Sequence, residues 1–496
     1  MWDELKKLFT HSSIYGLGNI LGKVTGFLLI PFYTHYLHPT QYGRLELLDL
    51  SLSFMGLMLG ALATAPLLRF YYHFENDRMK KRVFSTALLT AFTAALPLAF
   101  AGLHFAPQLS ILLLKSAAYA GYLKVISLSF LLTCMGTVAW EYLIARQRAT
   151  LIVSLKLPLL ALALFLNIYL VAFAHLGVLG VLYSGLITNF VGVCIVVSLM
   201  LKEVGLGFDL GILKTCVAFG FPLIFSNLGA FALNFSDRFF LQYFSTTSVV
   251  GTYSLGYKFG FMVSFLVIQP FALIWSSEIY LIDKRTDGRS VFSKLANHFC
   301  LTLVVVALGL SVLSKEVITI LADPSFRAAS AVIPIVALAY VFYGMASYFR
   351  AGMYISKKTV YIGAIGIGGG ALDILLNFIL IPRYGAMGAA WATLMSFGAM
   401  AGLTYGFAQK AYHVPYRLPR LSLPILIGVA VYLLSTCLSV SSLWVTALLK
   451  AMCVPAFVAI IYVLGFFDKS ETEQIRIAFS RFRTRFRHTE AIASGR

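Results

Sequence analysis

The stretch LLALALFLNIYLVAFAHLGVLGVLYSGLITNF, residues 159–190, gives the clearest indication of the fold class. It contains no Asp, Glu, Lys or Arg, and His175 and Gly177 interrupt it near its middle. Because a helix needs about 20 mostly apolar residues to cross a bilayer, this stretch holds most of two crossings joined by a short turn. We predict helices over residues 152–174 and 178–201.

The rest of the chain has the same character. Of its 496 residues, 59% are apolar and 12% charged, and the mean hydropathy is +0.85. This composition excludes a soluble enzyme, a transmembrane barrel and a single-span receptor. The sequence predicts an all-α polytopic membrane protein with about fourteen transmembrane helices. They cover residues 11–36, 46–70, 84–106, 122–145, 152–174, 178–201, 212–236, 248–278, 296–320, 330–354, 360–381, 386–409, 421–440 and 443–466.

The net charge of +19 is explained by the membrane topology. Most basic residues fall in segments that lie on one side when the N-terminus is cytoplasmic, so we predict that both termini are cytoplasmic. Attraction to anionic lipid then accounts for the charge, and no nucleic-acid partner is expected. The tail 469–496 has the pattern of a basic amphipathic helix on anionic lipid, or of a solvated tail.

Three segments recur in the same order at a spacing of about 208 residues, which indicates an internal repeat. An even number of crossings per copy makes the two six-helix lobes parallel and pseudo-symmetric, as in alternating-access transporters. We predict an N-terminal lobe at 1–203, a C-terminal lobe at 204–412 and two further helices within 413–468. The recurring pairs are 36–43 with 243–251, 142–148 with 354–358, and 165–180 with 375–388.

Two lysines lie at least ten residues from either end of a predicted helix, where a charge costs at least about 2.5–3.5 kcal/mol. Lys23 is in the middle of the first helix, and Lys258 is about ten residues into the eighth. Two lysines in opposite lobes would attract an anionic substrate such as a phosphate to a central cavity. The alternative is that each lysine reaches an interface or pairs with a carboxylate. We assign Asn19, which precedes Lys23 on its helix, to substrate binding as well.

Acidic residues in helices give a second set of candidates. Asp373 and Asn377 lie four residues apart, where they could couple transport to an ion gradient or pair with a cation. Asp237, beside Arg238 at the predicted end of its helix, fits a local anchor. Glu46 and Asp49, predicted to open the second helix, fit a favourable interaction with its N-terminal dipole.

Catalytic motifs are missing from the sequence. There is no HExxH, no Walker-type GxxxxGK[ST] and no GxSxG, and the six cysteines show no CxxC spacing. We therefore expect neither an enzyme nor a bound cofactor or metal.

Two regions resemble the polysaccharide flippases of the Wzx type, within the multidrug/oligosaccharidyl-lipid/polysaccharide exporter superfamily. The first comprises SSIYGLGN (12–19), PFYTHYL (31–37) and the pair Tyr42-Gly43. The second comprises SDRFFL (236–241) followed by VGTYSLGYK (250–258). The resemblance implies two six-helix lobes that move a polyprenyl-(pyro)phosphate-linked oligosaccharide across the cell inner membrane, for O-antigen, capsule or exopolysaccharide synthesis.

The same resemblance implies roles for particular residues. Lys23 and Lys258 match cationic residues that line the cavity in the related lipid II flippases. Asp237, Asp373, Asn377 and Thr393 match a cation site of that branch, so the coupling ion would be Na⁺ or H⁺. A polysaccharide polymerase and glycosyltransferases are candidate partners.

Three other functions compete with this interpretation. A multidrug extruder of the same superfamily would need an acidic, aromatic cavity. A membrane-embedded polymerase or glycosyltransferase would need a long extramembrane loop with acid–base or metal-binding residues. A scaffold without transport would tolerate substitution of either lysine.

Overall fold

Helices are the only regular secondary structure in the residues that the computed structural model describes, which are 26, 29–63, 65–438 and 440–467. A helical segment ends at residue 36, ahead of the first complete helix. The helices are α1 Pro39–Ala63, α2 Ala65–His73, α3 Asp77–His104, α4 Ala106–Leu114, α5 Ala120–Ala145, α6 Ala149–Ile168, α7 Val178–Val204, α8 Leu210–Phe244, α9 Thr247–Val263, α10 Gln269–Asp283, α11 Gly288–Val312, α12 Ser314–Leu321, α13 Ala329–Ile355, α14 Thr359–Ala411, α15 Leu418–Ser435, α16 Leu443–Ala451 and α17 Cys453–Val463.

Polar residues between the apolar runs start several helices. The Asn76 side chain accepts a hydrogen bond from the backbone N–H of Arg78 at 2.9 Å, ahead of α3. Asp209 accepts from the backbone N–H groups of Gly211 at 2.9 Å and Ile212 at 3.1 Å, ahead of α8. These caps satisfy N–H groups that no helical carbonyl can reach.

The polytopic all-α fold is confirmed. Within the described residues, 11 helical segments are long and apolar enough to cross a membrane, and they correspond to the third through fourteenth predicted helices. The predicted helices 360–381 and 386–409 both lie in α14, which breaks at Gly385 with φ 54° and ψ −130°. The predicted helix 46–70 is divided between α1 and α2, and most of the first predicted helix lies outside the described residues.

The internal repeat reappears as matching backbone geometry. Gly177, with φ 55° and ψ −127°, and Gly385, with φ 54° and ψ −130°, adopt the same left-handed conformation at equivalent positions. Gln147 and Lys357 likewise share a positive φ, at 55° and 58°, in the turns after α5 and α13. Equivalent turns with equal dihedral angles indicate that the two copies fold alike locally.

The described residues group into two compact units. The first contains residues up to 262 together with 314–413, and its core is rich in aromatic side chains. The buried Phe84 ring contacts Tyr71 at 5.5 Å and Tyr142 at 5.2 Å, both edge to face. Such pairs stabilise a core by about 0.5–1.5 kcal/mol beyond the area they bury.

The second unit contains residues 263–313 and those from 414 onwards. In it, α11 packs against α15 and α17. Ser293 of α11 donates a hydrogen bond to the carbonyl of Pro415 at 2.8 Å, which fixes the start of α15. The predicted division of the chain into lobes at residue 203 stays a prediction.

Candidate functional site

Lys258 lies on α9 and forms an ion pair with Glu46 of α1. Its ammonium also donates to the Tyr42 hydroxyl at 3.0 Å. The Glu46 side chain is 10% exposed, whereas the Lys258 side chain is 44% exposed. Asp49, one turn further along α1, is exposed and close enough to interact electrostatically with both. Lys258 thus pairs with a carboxylate, which was one of the two predicted alternatives, while part of its side chain stays exposed.

The start of α1 corrects the interpretation of the two carboxylates. The helix begins at Pro39 rather than at residue 46, and no acidic residue lies in its first turn. A helix dipole acts only within the first turn. The predicted dipole interaction of Glu46 and Asp49 is therefore wrong, and their charges face Lys258 instead.

Two glycines bring the ion pair together. Gly43 of α1 and Gly251 of α9, which occupy equivalent positions in the repeat, lie where the two helices cross. A Cβ atom on Gly43 would collide with the carbonyl oxygen of Thr247, and one on Gly251 with that of Pro39. Because the backbones touch here, side chains one and two turns later can reach across from helix to helix.

A second cluster surrounds Asp373 and Asn377 of α14, which are both buried. Asp373 Oδ2 accepts hydrogen bonds from Asn377 Nδ2 at 2.7 Å and from the Ser236 hydroxyl of α8 at 3.0 Å. Asp373 Oδ1 and Asn377 Oδ1 are buried without a hydrogen-bond partner in the described part of the chain. Buried oxygens without a partner are costly, so this arrangement favours a proton or a cation.

The second half of α14 carries the predicted Thr393 and also adds one hydroxyl group near this cluster, that of Ser396. Thr393 is buried, and its hydroxyl donates to the carbonyl of Ala389 at 3.1 Å, within its own helix. Ser396, on the same face of that helix, lies close enough to interact with Asp373, yet among the described residues its hydroxyl has no partner with hydrogen-bond geometry. Sequence reasoning missed Ser396, although its spacing of three from Thr393 was the available signal. It also missed Ser236, which directly precedes a predicted site residue.

Asp237 lies inside α8, because the helix continues to Phe244 instead of ending at residue 236. Its carboxylate pairs with Arg238 at 2.7 Å and accepts a hydrogen bond from Tyr253, and the two charged side chains are only 3% and 5% exposed. The Arg238 guanidinium lies 3.8 Å from the centre of the Tyr257 ring. The predicted end of this helix at residue 236 is thus wrong, and the two charged side chains are buried against each other. The outer-boundary position predicted for them stays a prediction.

The N-terminal copy of the repeat has no carboxylate at the position of Asp373. Asn167, the counterpart of Asn377, is preceded four residues earlier by an alanine. Asn167 Oδ1 accepts from the Tyr33 hydroxyl at 2.8 Å, and its Nδ2 donates to the Ser184 hydroxyl at 2.9 Å. Both ends of this amide are therefore satisfied, whereas Asn377 Oδ1 has no hydrogen-bond partner among the described residues.

Three predictions fall outside the described residues. They are the substrate-binding roles of Lys23 and Asn19 and the amphipathic tail 469–496.

Comparisons with known proteins bear on both fold and family. Among solved structures, the lipid II flippase MurJ in an inward closed conformation matches with a TM-score of 0.72 and 14% identity, over 92% of this chain and 99% of that one. An inward-facing multidrug resistance MATE family transporter of the MOP superfamily matches with a TM-score of 0.64 and 12% identity, over 80% and 94%. No curated protein sequence matches significantly. At these identities the structural likeness concerns the fold.

A family model gives the assignment. It is described as a polysaccharide biosynthesis protein and matches residues 73–331, which is more than half of the chain. This region includes α3 to α12, and with them Lys258 and Asp237. The chain therefore belongs to the family of polysaccharide biosynthesis proteins.

Proposed function

We propose that this protein is a flippase for polyprenyl-(pyro)phosphate-linked oligosaccharides in the synthesis of a cell-surface polysaccharide such as O-antigen, capsule or exopolysaccharide. It moves the headgroup from the cytoplasmic to the outer leaflet of the inner membrane by alternating access, and both of its termini are cytoplasmic. The step is transport without covalent chemistry. A polymerase and glycosyltransferases stay predicted partners.

The observation that carries this proposal is the exposed charge of Lys258 on a membrane-spanning helix. A lysine exposed to lipid at mid-bilayer costs at least about 2.5–3.5 kcal/mol, so its open side favours a hydrated cavity. Such a cavity shelters a charged glycan headgroup, which hydrocarbon cannot accommodate. The ammonium there is a suitable donor for the phosphate oxygens of the lipid-linked sugar, and the predicted role of Lys23 would add a second cation.

The cluster around Asp373 supports coupling to an ion gradient. Asp373 Oδ1, Asn377 Oδ1 and the Ser396 hydroxyl supply oxygen atoms only, as a hard cation requires. The carboxylate alone could equally carry a proton. Asp373 contacts hydroxyl and amide groups and lies near the carboxylate of Asp237, and it forms no ion pair with a described residue. We therefore assign the coupling ion, Na⁺ or H⁺, to Asp373, Asn377 and Ser396, and Thr393 stays a predicted member of this site.

A cation-coupled multidrug extruder is the second candidate. The observation that favours it is the presence of two carboxylates, Glu46 and Asp49, beside Lys258. Two acids next to one lysine would suit an organic cation better than a phosphate if Lys23 lies elsewhere.

Transbilayer movement of a fluorescent polyprenyl-pyrophosphate oligosaccharide in proteoliposomes tests the proposal. We expect the wild type to move the lipid, and Lys258→Ala and Lys23→Ala to abolish movement at matched protein density. Lys81→Ala is the matched control, because Lys81 is 42% exposed and also pairs with a carboxylate, that of Asp77, but lies at the start of α3. A wild type that leaves the lipid in place and expels a dye cation instead would establish the extruder.

A further inference from the structure

We propose that Glu46 sets a charge threshold for the substrate, by occupying Lys258 until a headgroup of higher negative charge displaces it. This inference rests on the proposed function for the anionic nature of the substrate. In this proposal Glu46 determines which headgroups bind, and substrate binding loosens the contact between α1 and α9.

The two residues of the ion pair do not recur in the repeat: each is present in only one of the two copies. When the two copies are aligned on Gly43 and Gly251, Ser254 is the equivalent of Glu46, and Leu50 is the equivalent of Lys258. The symmetric part of the crossing is therefore backbone contact, and the charges are added to it asymmetrically. A pair that only held the crossing together would be costly, because the Glu46 carboxylate, at 10% exposure, is removed from bulk water.

The exposures of the two partners show which one a ligand can reach. Lys258 is 44% exposed and Glu46 only 10%, so the lysine presents its open side while the carboxylate lies behind it. A phosphate oxygen can replace the carboxylate as acceptor from the exposed ammonium. The released Glu46 exchanges its ion pair for water, since the neighbouring Asp49 is exposed.

The charge of the headgroup decides this exchange. The headgroup of a phosphodiester lipid such as phosphatidylglycerol carries one negative charge, as Glu46 does, so it has no charge advantage over the carboxylate in competing for Lys258. A pyrophosphate carries more charge and more acceptor oxygens, so it can outcompete the carboxylate. Glu46 would thus exclude the abundant anionic lipids of the membrane and admit the pyrophosphate-linked substrate.

Displacement of Glu46 also breaks an ion pair that joins α1 to α9. The pair lies one turn beyond Gly43 on α1, next to Tyr42, whose ring packs edge to face on Phe326 at 5.6 Å. With Lys258 bound to the headgroup instead of to α1, the crossing loses its only described ion pair between these two helices. Substrate binding would in this way loosen the contact between the two repeats.

Binding measurements on the full chain in phosphatidylcholine nanodiscs test this inference separately from transport. The probes are undecaprenyl pyrophosphate and phosphatidylglycerol. We expect Glu46→Gln to bind phosphatidylglycerol about tenfold more tightly than the wild type, the usual scale of one charged hydrogen bond, and so to lose selectivity. Lys258→Ala should weaken binding of undecaprenyl pyrophosphate. Glu203→Gln is the control, since Glu203 also pairs with a basic residue, Arg148, but outside the crossing of α1 and α9. The side chains of Glu203 and Arg148 are 30% and 37% exposed.

Glu46→Gln that binds phosphatidylglycerol no more tightly than the wild type would overturn the inference. If this variant fails to fold, Glu46→Asp, which shortens the reach to Lys258, must show the same loss of selectivity. Hydrogen exchange of the wild type is independent of any variant: undecaprenyl pyrophosphate should speed exchange in residues 39–46 and 247–258, and slower exchange there would refute the release of the crossing. A loss of lipid movement together with retained selectivity would refute the flippase function alone.

Discussion

Asp237 and Asp373 lie close enough to interact, but their surroundings differ. Asp237 is buried against Arg238 and accepts a hydrogen bond from Tyr253, so its charge is compensated. Asp373 has hydroxyl and amide neighbours and one oxygen without a hydrogen-bond partner among the described residues. The first acid is therefore built as an anchor, and the second is available to a titrating proton or a cation.

For Asp237 we predict a large loss of stability on substitution. Asp237→Asn leaves the Arg238 guanidinium buried without a counter-charge, and removing one partner of a buried pair costs about 3–5 kcal/mol. The measurement is the free energy of unfolding in detergent micelles titrated with dodecyl sulfate. Adding Arg238→Met to the variant should restore part of the loss, because no charge is then left unpaired. A single variant as stable as the wild type would show that water reaches Arg238.

For Asp373 we predict a functional loss without such a structural one. Asp373→Asn keeps the shape of the side chain and leaves no buried cation unpaired. We expect lipid movement in proteoliposomes to lose its response to whichever imposed gradient, Na⁺ or H⁺, drives the wild type. Asp209→Asn is the control, because asparagine also caps α8. Gradient-driven movement that persists in Asp373→Asn would place the coupling site elsewhere.

The crossing of α1 and α9 gives a prediction at the level of the element. Gly43→Ala forces a Cβ atom into the carbonyl of Thr247, and such overpacking costs about 1–3 kcal/mol. Gly56→Ala is the control on the same helix, since nothing lies within 4 Å of its Cβ position, and it should be neutral or stabilise by up to about 1 kcal/mol. Thermal unfolding in detergent measures both. Equal effects of the two variants would mean that the helices do not touch at Gly43.

Much at the element level followed from the sequence. The apolar runs predicted the long helices that could cross a membrane from α3 onwards, but not the short helix α4. The repeat paired the segments that contain Gly177 and Gly385, which adopt the same conformation. Where the prediction failed, polar residues lay within a helix: α1 runs through Glu46, and α8 through Arg238. A hydropathy pattern ends a helix at a charge, whereas the folded chain buries that charge beside a partner.

Contacts between residues far apart in the sequence limited how much of the candidate site could be predicted. Asp373 and Asn377 were recognised because they lie on one helical face, but Ser236 joins them from a position 137 residues away from Asp373. Lys258 and Glu46 are 212 residues apart, so the sequence could only offer a carboxylate partner as an alternative. Such pairings depend on which helices cross, and the crossing is fixed by Gly43 and Gly251.

At the scale of the whole molecule, duplication supplies the architecture and substitution within one copy supplies the candidate chemistry. The turns and the glycines of the crossing repeat in both copies. The asparagine of the repeat is satisfied by Tyr33 and Ser184 in the first copy, whereas in the second it stands beside Asp373 with its oxygen unpaired among the described residues. The first copy would therefore use this position for packing and the second for ion coupling.

Substitution of the two asparagines tests this division of labour. Asn167→Ala removes hydrogen bonds to Tyr33 and Ser184, so we expect a loss of stability of about 1–3 kcal/mol, with the response of transport to the driving gradient retained. Asn377→Ala removes a neighbour of Asp373 and an oxygen without a partner, so we expect ion affinity to fall about tenfold or more. Thermal unfolding and gradient-driven lipid movement measure the two effects on the same preparations. If Asn167→Ala also abolished the response to the gradient, both copies would take part in coupling, and the unpaired oxygens around Asp373 would not distinguish them.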